Sequence, residues 1–300
     1  MGGSGGFRGY RSIGMVSQVS SSASGAQASQ YEIEMNEFLE DLLKEYNNRD
    51  VEAIRTHLNE IEKVLSREIE GIDRILFGGS LSKHTFIEGT SDVDALVILD
   101  RETYKDKTPK ELQAEFAKML QQRFPKTEIK CGTLAVTVKF SNYEIQLLPA
   151  MKNNGKLQIA SGDGSHWSSW INSARFTEKL TTTNKMHGNK VVPVIKLAKS
   201  LLSKLPPKYQ LSGYHVEALA VDAFATYNGR NTLYDMTKHM LNYSVKRVLS
   251  PMSDVTGQSG IIDDQLGKAR SINRQYLSRH IQDIARRFSG APANAKELFE

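Results

Sequence analysis

Phe77-Gly78-Gly79-Ser80, eleven further residues, then Asp92-Val93-Asp94 is the stretch on which the reading of this chain turns. Arg74–Phe77 reads as a short strand running into a glycine turn, and Val93–Leu99 as a second strand. Residues two apart on a strand share a face, so Asp92 and Asp94 project together, flanked by apolar Val93, Ala95 and Val97. Two adjacent carboxylates resist ionising together unless a cation sits between them, and all-oxygen ligation suits Mg²⁺. The glycine pair lets the backbone approach a triphosphate, Ser80 adds a hydroxyl, and a helix following it would aim its N-terminus at the phosphates. The competing reading, a strand end with two solvated aspartates, suits an isolated Asp-x-Asp better than one coupled to Gly-Gly-Ser.

Working outward, Phe38, Leu39, Leu42, Leu43 and Tyr46 recur at helical spacing. Ile54, Leu58, Ile61 and Leu65 share one face of a second helix, for which Asn48 or Asp50 offers a cap. Pro109 opens a helix to about Phe124. Thr133–Phe140 and Tyr143–Leu148 form a hairpin about Ser141-Asn142. After Pro149 strands become scarce, and helical patterns run over 190–205, 213–228, 234–249 and 264–288, with a break at Leu205-Pro206-Pro207. The fold class is therefore α+β: a disordered low-complexity tail over 1–30, a mixed-sheet lobe over 31–170 and a helical lobe over 171–300.

Composition sets outer bounds. Hydrophobic residues make up 39% and charged residues 24%, ordinary for a globular protein. No apolar run is long enough to span a membrane. The single cysteine, Cys131, excludes an internal disulfide and a Cys-rich zinc site, which suits a cytoplasmic location. The net charge of +5 favours a polyanionic partner only weakly, since surface lysines and arginines account for it equally well.

With these residues in view, the chain resembles polymerase-β-type nucleotidyltransferases, and among them the oligoadenylate synthases, cyclic GMP–AMP synthase and their bacterial anti-phage relatives. Gly79-Ser80 with Asp92-x-Asp94 carries the first motif. Ile145-Gln146-Leu147-Leu148-Pro149-Ala150 resembles the third catalytic strand, Pro193–Leu202 the helix with the triphosphate lysine, and Leu211-Ser212-Gly213-Tyr214-His215 the Leu-Ser-Ser-Tyr-His element. Asp254-Val255-Thr256-Gly257 resembles a structural Asp-Pro-Thr-Gly turn near the mouth of the site. The resemblance implies a bilobed fold with nucleotides in the cleft and two Mg²⁺ or Mn²⁺ ions on Asp92 and Asp94. It also implies that Gly79 and Ser80 cradle phosphates, that Lys199 holds the triphosphate with Lys196 one turn earlier, that Ser212 contacts phosphate, and that Tyr214 stacks on a base.

The family's third acidic residue is replaced by Gln146. Three readings stand open. Glu144, two residues earlier and about 6.6 Å along an ideal strand, substitutes for it; the chemistry runs without a third carboxylate; or the protein binds nucleotides without turnover. The leading expectation is a metal-dependent enzyme that makes a short cyclic or linear oligonucleotide signal from nucleoside or deoxynucleoside triphosphates in anti-phage defence. Such a signal would be read by an effector protein encoded elsewhere. A regulatory nucleotide-binding protein, and a terminal transferase acting on RNA or protein, are the rivals.

Overall fold

The computed structural model describes residues 14–47, 51–68, 72–77, 80, 83–87, 93–141, 143–153, 156–161, 164–168, 174–257 and 260–300. Gly79 and Asp92, the caps Asn48 and Asp50, and hairpin residue Asn142 lie outside the described residues.

Two helices, α1 (Gly14–Asn47) and α2 (Val51–Glu68), precede a six-stranded sheet. Its strands are β1 (Ile72–Phe77), β2 (Val93–Asp100), β3 (Glu128–Cys131), β4 (Val136–Lys139), β5 (Glu144–Asn153) and β6 (Lys156–Ile159). A short helix α3 (Arg101–Tyr104) and the longer α4 (Pro109–Arg123) connect β2 to β3. The sheet order is β1-β2-β5-β4-β3, with β6 pairing the far half of β5. β2 and β5 run parallel, and the other pairings are antiparallel.

Period-two alternation decides which face of β2 does what. Val93, Ala95, Val97 and Leu99 enter a core with Ile54, Leu58, Ile61 and Leu65 of α2 and Leu112, Phe116 and Leu120 of α4. Leu96 and Ile98 belong to a smaller cluster on the other face, with Leu76, Ala150, Leu157 and Ile159. Burying each large side chain contributes roughly 1.5–3 kcal/mol, and a one-residue slip would exchange the two faces, so the register that places Asp94 is strongly fixed. The start of α4 is fixed by its sequence. Thr108 accepts from the Glu111 amide, Glu111 returns the bond to Thr108, and Pro109 occupies the first turn.

The rest of the chain is helical: α5 (Ala174–Met186), α6 (Val191–Leu202), α7 (Gly213–Phe224), α8 (Leu233–Arg247), α9 (Ile272–Phe288) and α10 (Pro292–Lys296). Their core also takes in Met35, Leu39 and Leu43 of α1. Tyr31 donates to the Phe288 carbonyl at 2.8 Å, and the Tyr234 amide donates to Asn36 Oδ1 at 3.0 Å. The second half of α1 therefore packs with the helical lobe, although the chain enters the sheet lobe directly afterwards. Its stripe of i, i+4 apolar residues finds its partners there.

Several elements differ from the sequence expectations. The helical backbone of α1 extends back to Gly14, into the low-complexity stretch. The strand expected over 133–140 is shorter, and a separate strand β3 precedes it. β5 runs on past Leu148, β6 follows it, and α5 was not anticipated. The helix expected over 264–288 starts only at Ile272, because residues 263–271 wrap a buried arginine. Arg274 donates to both oxygens of Asp263 at 2.7 and 3.0 Å and to the carbonyls of Val248, Ser250 and Gly267. Gly267, at φ 81°, makes the left-handed bend that this loop requires.

Candidate active site

Asp94 is the second residue of β2, on the face away from the α2/α4 core. Its register partner on β5 is Gln146, whose partner on β4 is Thr137, so the three form a row across the strands. Glu144 lies opposite Lys139 at the start of β5 and approaches it at 3.8 Å, partly exposed. The negative charge of Asp94 acts on Lys199 of the helical lobe, which places the head of β2 near that helix.

A buried polar cluster joins the two lobes beside it. Ser80 is 6% exposed, and its carbonyl accepts from the Thr85 amide at 2.8 Å. Thr85 is fully buried and donates its hydroxyl to Glu217 Oε1. Lys199, 4% exposed on α6, donates to Glu217 Oε1 at 2.9 Å and to the carbonyl and hydroxyl oxygens of Thr85, each at 3.2 Å. The other carboxylate oxygen of Glu217, on α7, ion-pairs with Lys83 from the sheet lobe. Burial pulls Lys199 below the usual lysine value, against the opposing pull of Glu217. Burial pushes Glu217 up, but Lys199 and Lys83 outweigh it and hold the carboxyl below its usual range.

An aromatic wall adjoins this cluster. The rings of Phe176 and Tyr214 lie 4.7 Å apart, and the Lys83 ammonium sits 4.9 Å from the first centroid and 5.8 Å from the second. Tyr214 donates to Asp254 Oδ1 at 2.5 Å. Asp254 in turn accepts from the amide and hydroxyl of Thr256, and Gly257 at φ 68° closes the turn onto the Asp254 carbonyl. Burial and the bond to Asp254 keep the Tyr214 phenol protonated far beyond neutral pH. Ser212 caps α7, accepting from the His215 amide at 3.2 Å. Gly213 faces Lys199: a Cβ there would lie 3.3 Å from its Nζ, so the glycine that interrupts the Ser-Ser pattern leaves room for the ammonium.

Ser80 and Lys199 thus meet through Thr85 in one buried cluster, with Asp94 close enough to act on the Lys199 charge and Tyr214 beside Lys83. Lys196 donates to Asn47 Oδ1 at 2.6 Å, on the end of α1. Sequence reasoning missed Lys83, Thr85 and Glu217. The signals were there: the first two lie inside the deciding stretch, and Glu217 is an acid within the otherwise apolar run Val216–Val221.

No group of three His, Cys, Asp or Glu side chains among the described residues is arranged to hold a metal. The donors that are present suit an oxygen-seeking ion, since Asp94 supplies a carboxylate and its neighbour Gln146 a neutral amide oxygen. Mg²⁺ and Mn²⁺ accept such partial protein ligation, completing their shells with water and phosphate oxygens.

A mixed sheet bearing an aspartate near the head of a central strand, followed by a helical lobe, is the fold of polymerase-β-type nucleotidyltransferases. Residues 30–184 match the Second Messenger Oligonucleotide or Dinucleotide Synthetase domain, and the chain belongs to that family. Among solved structures, it is similar to the Elizabethkingia meningoseptica CdnE cyclic dinucleotide synthase with GTP and Apcpp (14% identity, 76% of this chain and 90% of that one, TM-score 0.59). It is also similar to E. coli CdnC with ATP (17% identity, 83% and 87%, TM-score 0.57). A third similar structure is Escherichia coli DncV bound to 3'-deoxy GTP (11% identity, 75% and 68%, TM-score 0.59). No curated protein matches the chain. No helix among the described residues is long and apolar enough to cross a membrane.

Proposed function

We propose that this nucleotidyltransferase is divalent-metal-dependent and joins nucleoside or deoxynucleoside triphosphates into a short cyclic or linear oligonucleotide. The observation that supports the reading is Asp94, the second residue of β2, near Lys199, whose Thr85 contact leads to Ser80.

In this reading Asp92 and Asp94 hold two Mg²⁺ or Mn²⁺ ions, and Gln146 lends an amide oxygen where relatives carry a carboxylate. When bound, the ions supply activation of the attacking hydroxyl and charge compensation for the departing pyrophosphate. The chain's own groups position the substrates. Gly79 and Ser80 cradle phosphates, the cationic side of the cleft attracts the triphosphate, and Ser212 offers a hydroxyl at the start of α7. Tyr214, its hydroxyl tied to Asp254, presents its ring to a base. The contact of Glu144 with Lys139 supports the reading in which the chemistry runs with Gln146 in place and without a third carboxylate.

The product class follows the family and its neighbours, which include a cyclic dinucleotide synthase. The product would serve as a cytoplasmic signal in bacterial anti-phage defence, read by an effector protein encoded elsewhere. Incubation with each NTP and dNTP in Mg²⁺ and Mn²⁺, phosphatase treatment, then mass spectrometry tests the reading. A phosphatase-resistant oligonucleotide supports it, and nuclease mapping assigns linkage and ring closure. No resistant or elongated product under any substrate pairing would refute it.

A further inference from the structure

Leu205-Pro206-Pro207 stops α6 and turns the chain into a 3₁₀ turn over Pro207–Tyr209, closed by the Tyr209 amide donating to the Pro206 carbonyl at 2.7 Å. The turn sets the Tyr209 ring against α9, where Tyr276 and His280 stand one helical turn apart. The centroids of Tyr209 and Tyr276 lie 6.1 Å apart with the planes at 29°, and those of Tyr209 and His280 lie 5.7 Å apart at 37°. Rings this close to parallel at such separations are offset, so the three form a strip. Tyr276 keeps 43% of its surface exposed, and Ile272, one turn before it, keeps 62%.

Cations border the strip. The Lys208 ammonium lies 5.7 Å from the Tyr209 centroid, and the Arg279 guanidinium 5.9 Å from that of Tyr276. Among the described residues, neither has a carboxylate partner, and nor has Lys204. Lys204, His280 and Arg287 line a pocket of about 260 Å³ at the end of the strip. The acids of that pocket are already engaged, Asp283 by Arg286 at 2.6 Å and Glu297 by Arg287 at 3.6 Å. The face is therefore aromatic and net positive.

The dimensions select the partner. The pocket is smaller than the roughly 300–1,000 Å³ that encloses a free small molecule. The face is long, since Tyr276 to Arg287 covers about 16 Å of helix. A ligand that uses the rings, the cations and the pocket together is extended, negatively charged and carries exposed flat faces. In a duplex those faces are already covered by neighbouring bases. An acidic peptide would satisfy the cations and leave the rings unused. We propose that this face of the helical lobe, built from Tyr209, Tyr276 and His280 with Lys204, Lys208 and Arg279, binds a single-stranded oligonucleotide, its bases on the rings and its phosphates on the cations. The face shares no residue with the cluster around Glu217 and does not rest on the nucleotidyltransferase reading.

Fluorescence anisotropy of the full chain with a labelled oligothymidine of about ten nucleotides, in EDTA and without triphosphates, tests this. Tyr276→Ala should weaken binding at least about fivefold, the loss of one base–aromatic stack, and Tyr276→Phe should restore it. Lys208→Gln/Arg279→Gln should lower the slope of log affinity against log salt by about 1.4, two phosphate contacts on a single strand. The three side chains are exposed, so the unfolding midpoint should hold in every variant. Thymidine monophosphate should displace the strand only at far higher concentration, and the same strand annealed to its complement should bind more weakly. No binding at low salt, or wild-type binding by both Tyr276→Ala and the double variant, would overturn the proposal. So would binding lost in Tyr214→Ala and kept in Tyr276→Ala, which would place the strand in the cleft. Equal displacement by the monophosphate would reassign the face to a mononucleotide, tighter binding of the duplex to phosphate contacts alone, and tighter binding of polyglutamate to an acidic protein. Each of these overturns the single-strand assignment, and none of them bears on turnover.

Discussion

Asp94 and Gln146 are direct register partners on β2 and β5, the parallel pair at the centre of the sheet. A carboxylate and an amide therefore stand side by side on neighbouring strands.

Restoring the acid gives the first prediction. In Gln146→Glu, two neighbouring carboxylates repel without a cation and are relieved by one. The variant should unfold at a lower temperature than wild type in EDTA and gain more from added Mg²⁺ or Mn²⁺. Its metal requirement for turnover should shift to lower concentration. Thermal melts with and without metal check this, and equal metal-induced shifts in both proteins would argue against a metal beside Gln146.

Glu144 supplies the second. Engaged with Lys139 at 3.8 Å and partly exposed, it is expected to contribute little. Glu144→Gln should retain activity within about threefold, the scale of a weak surface ion pair. A loss as deep as that of Asp94→Asn would show instead that Glu144 replaces the missing carboxylate.

Tyr214 tests the base-stacking wall. Tyr214→Ala should raise the KM for nucleotide roughly tenfold, in keeping with the loss of one base–aromatic stack. Tyr214→Phe, which keeps the ring and loses only the bond to Asp254, should have a much smaller effect. Steady-state kinetics on both variants separates ring from hydroxyl, and equal defects would point to the hydroxyl.

His215 sets a stability window. It is buried beside Tyr214 with neither ring nitrogen hydrogen-bonded, and burial lowers its pKa to about 4 against the opposing pull of Asp263, with Arg274 and Arg247 adding to the depression. The unfolded chain therefore binds a proton that the folded chain refuses between its ordinary value near 6.5 and about 4. Stability is full above that window and falls as pH drops through it, by roughly 3 kcal/mol. Urea denaturation between pH 7 and pH 4 should show this slope, and His215→Leu should flatten it. An unchanged slope in His215→Leu would assign it to other groups.

Much of this was legible in the sequence. The two faces of β2 and the proline start of α4 follow from local patterns that tertiary structure then respects. What escaped depends on contacts distant in sequence. Lys199 and Lys83 lie more than a hundred residues apart, and only the folded chain shows that Glu217 binds both. The late start of α9 was hidden likewise, because the helical pattern of 264–271 is overridden by Arg274 and its carbonyl partners. β3, a short strand with a mostly exposed face, carries little hydrophobic signal of its own.

The most direct measurement is conversion of α-labelled nucleoside triphosphates by the wild-type chain beside Asp94→Asn, both with Mg²⁺. The account predicts a labelled oligonucleotide from the wild type and a loss of at least about 100-fold in the variant, as when a group acting on reacting charge is removed. The variant should unfold at a similar temperature, since Asp94 lies outside the apolar core. Equal product from both proteins would contradict the placement of the reaction at the head of β2.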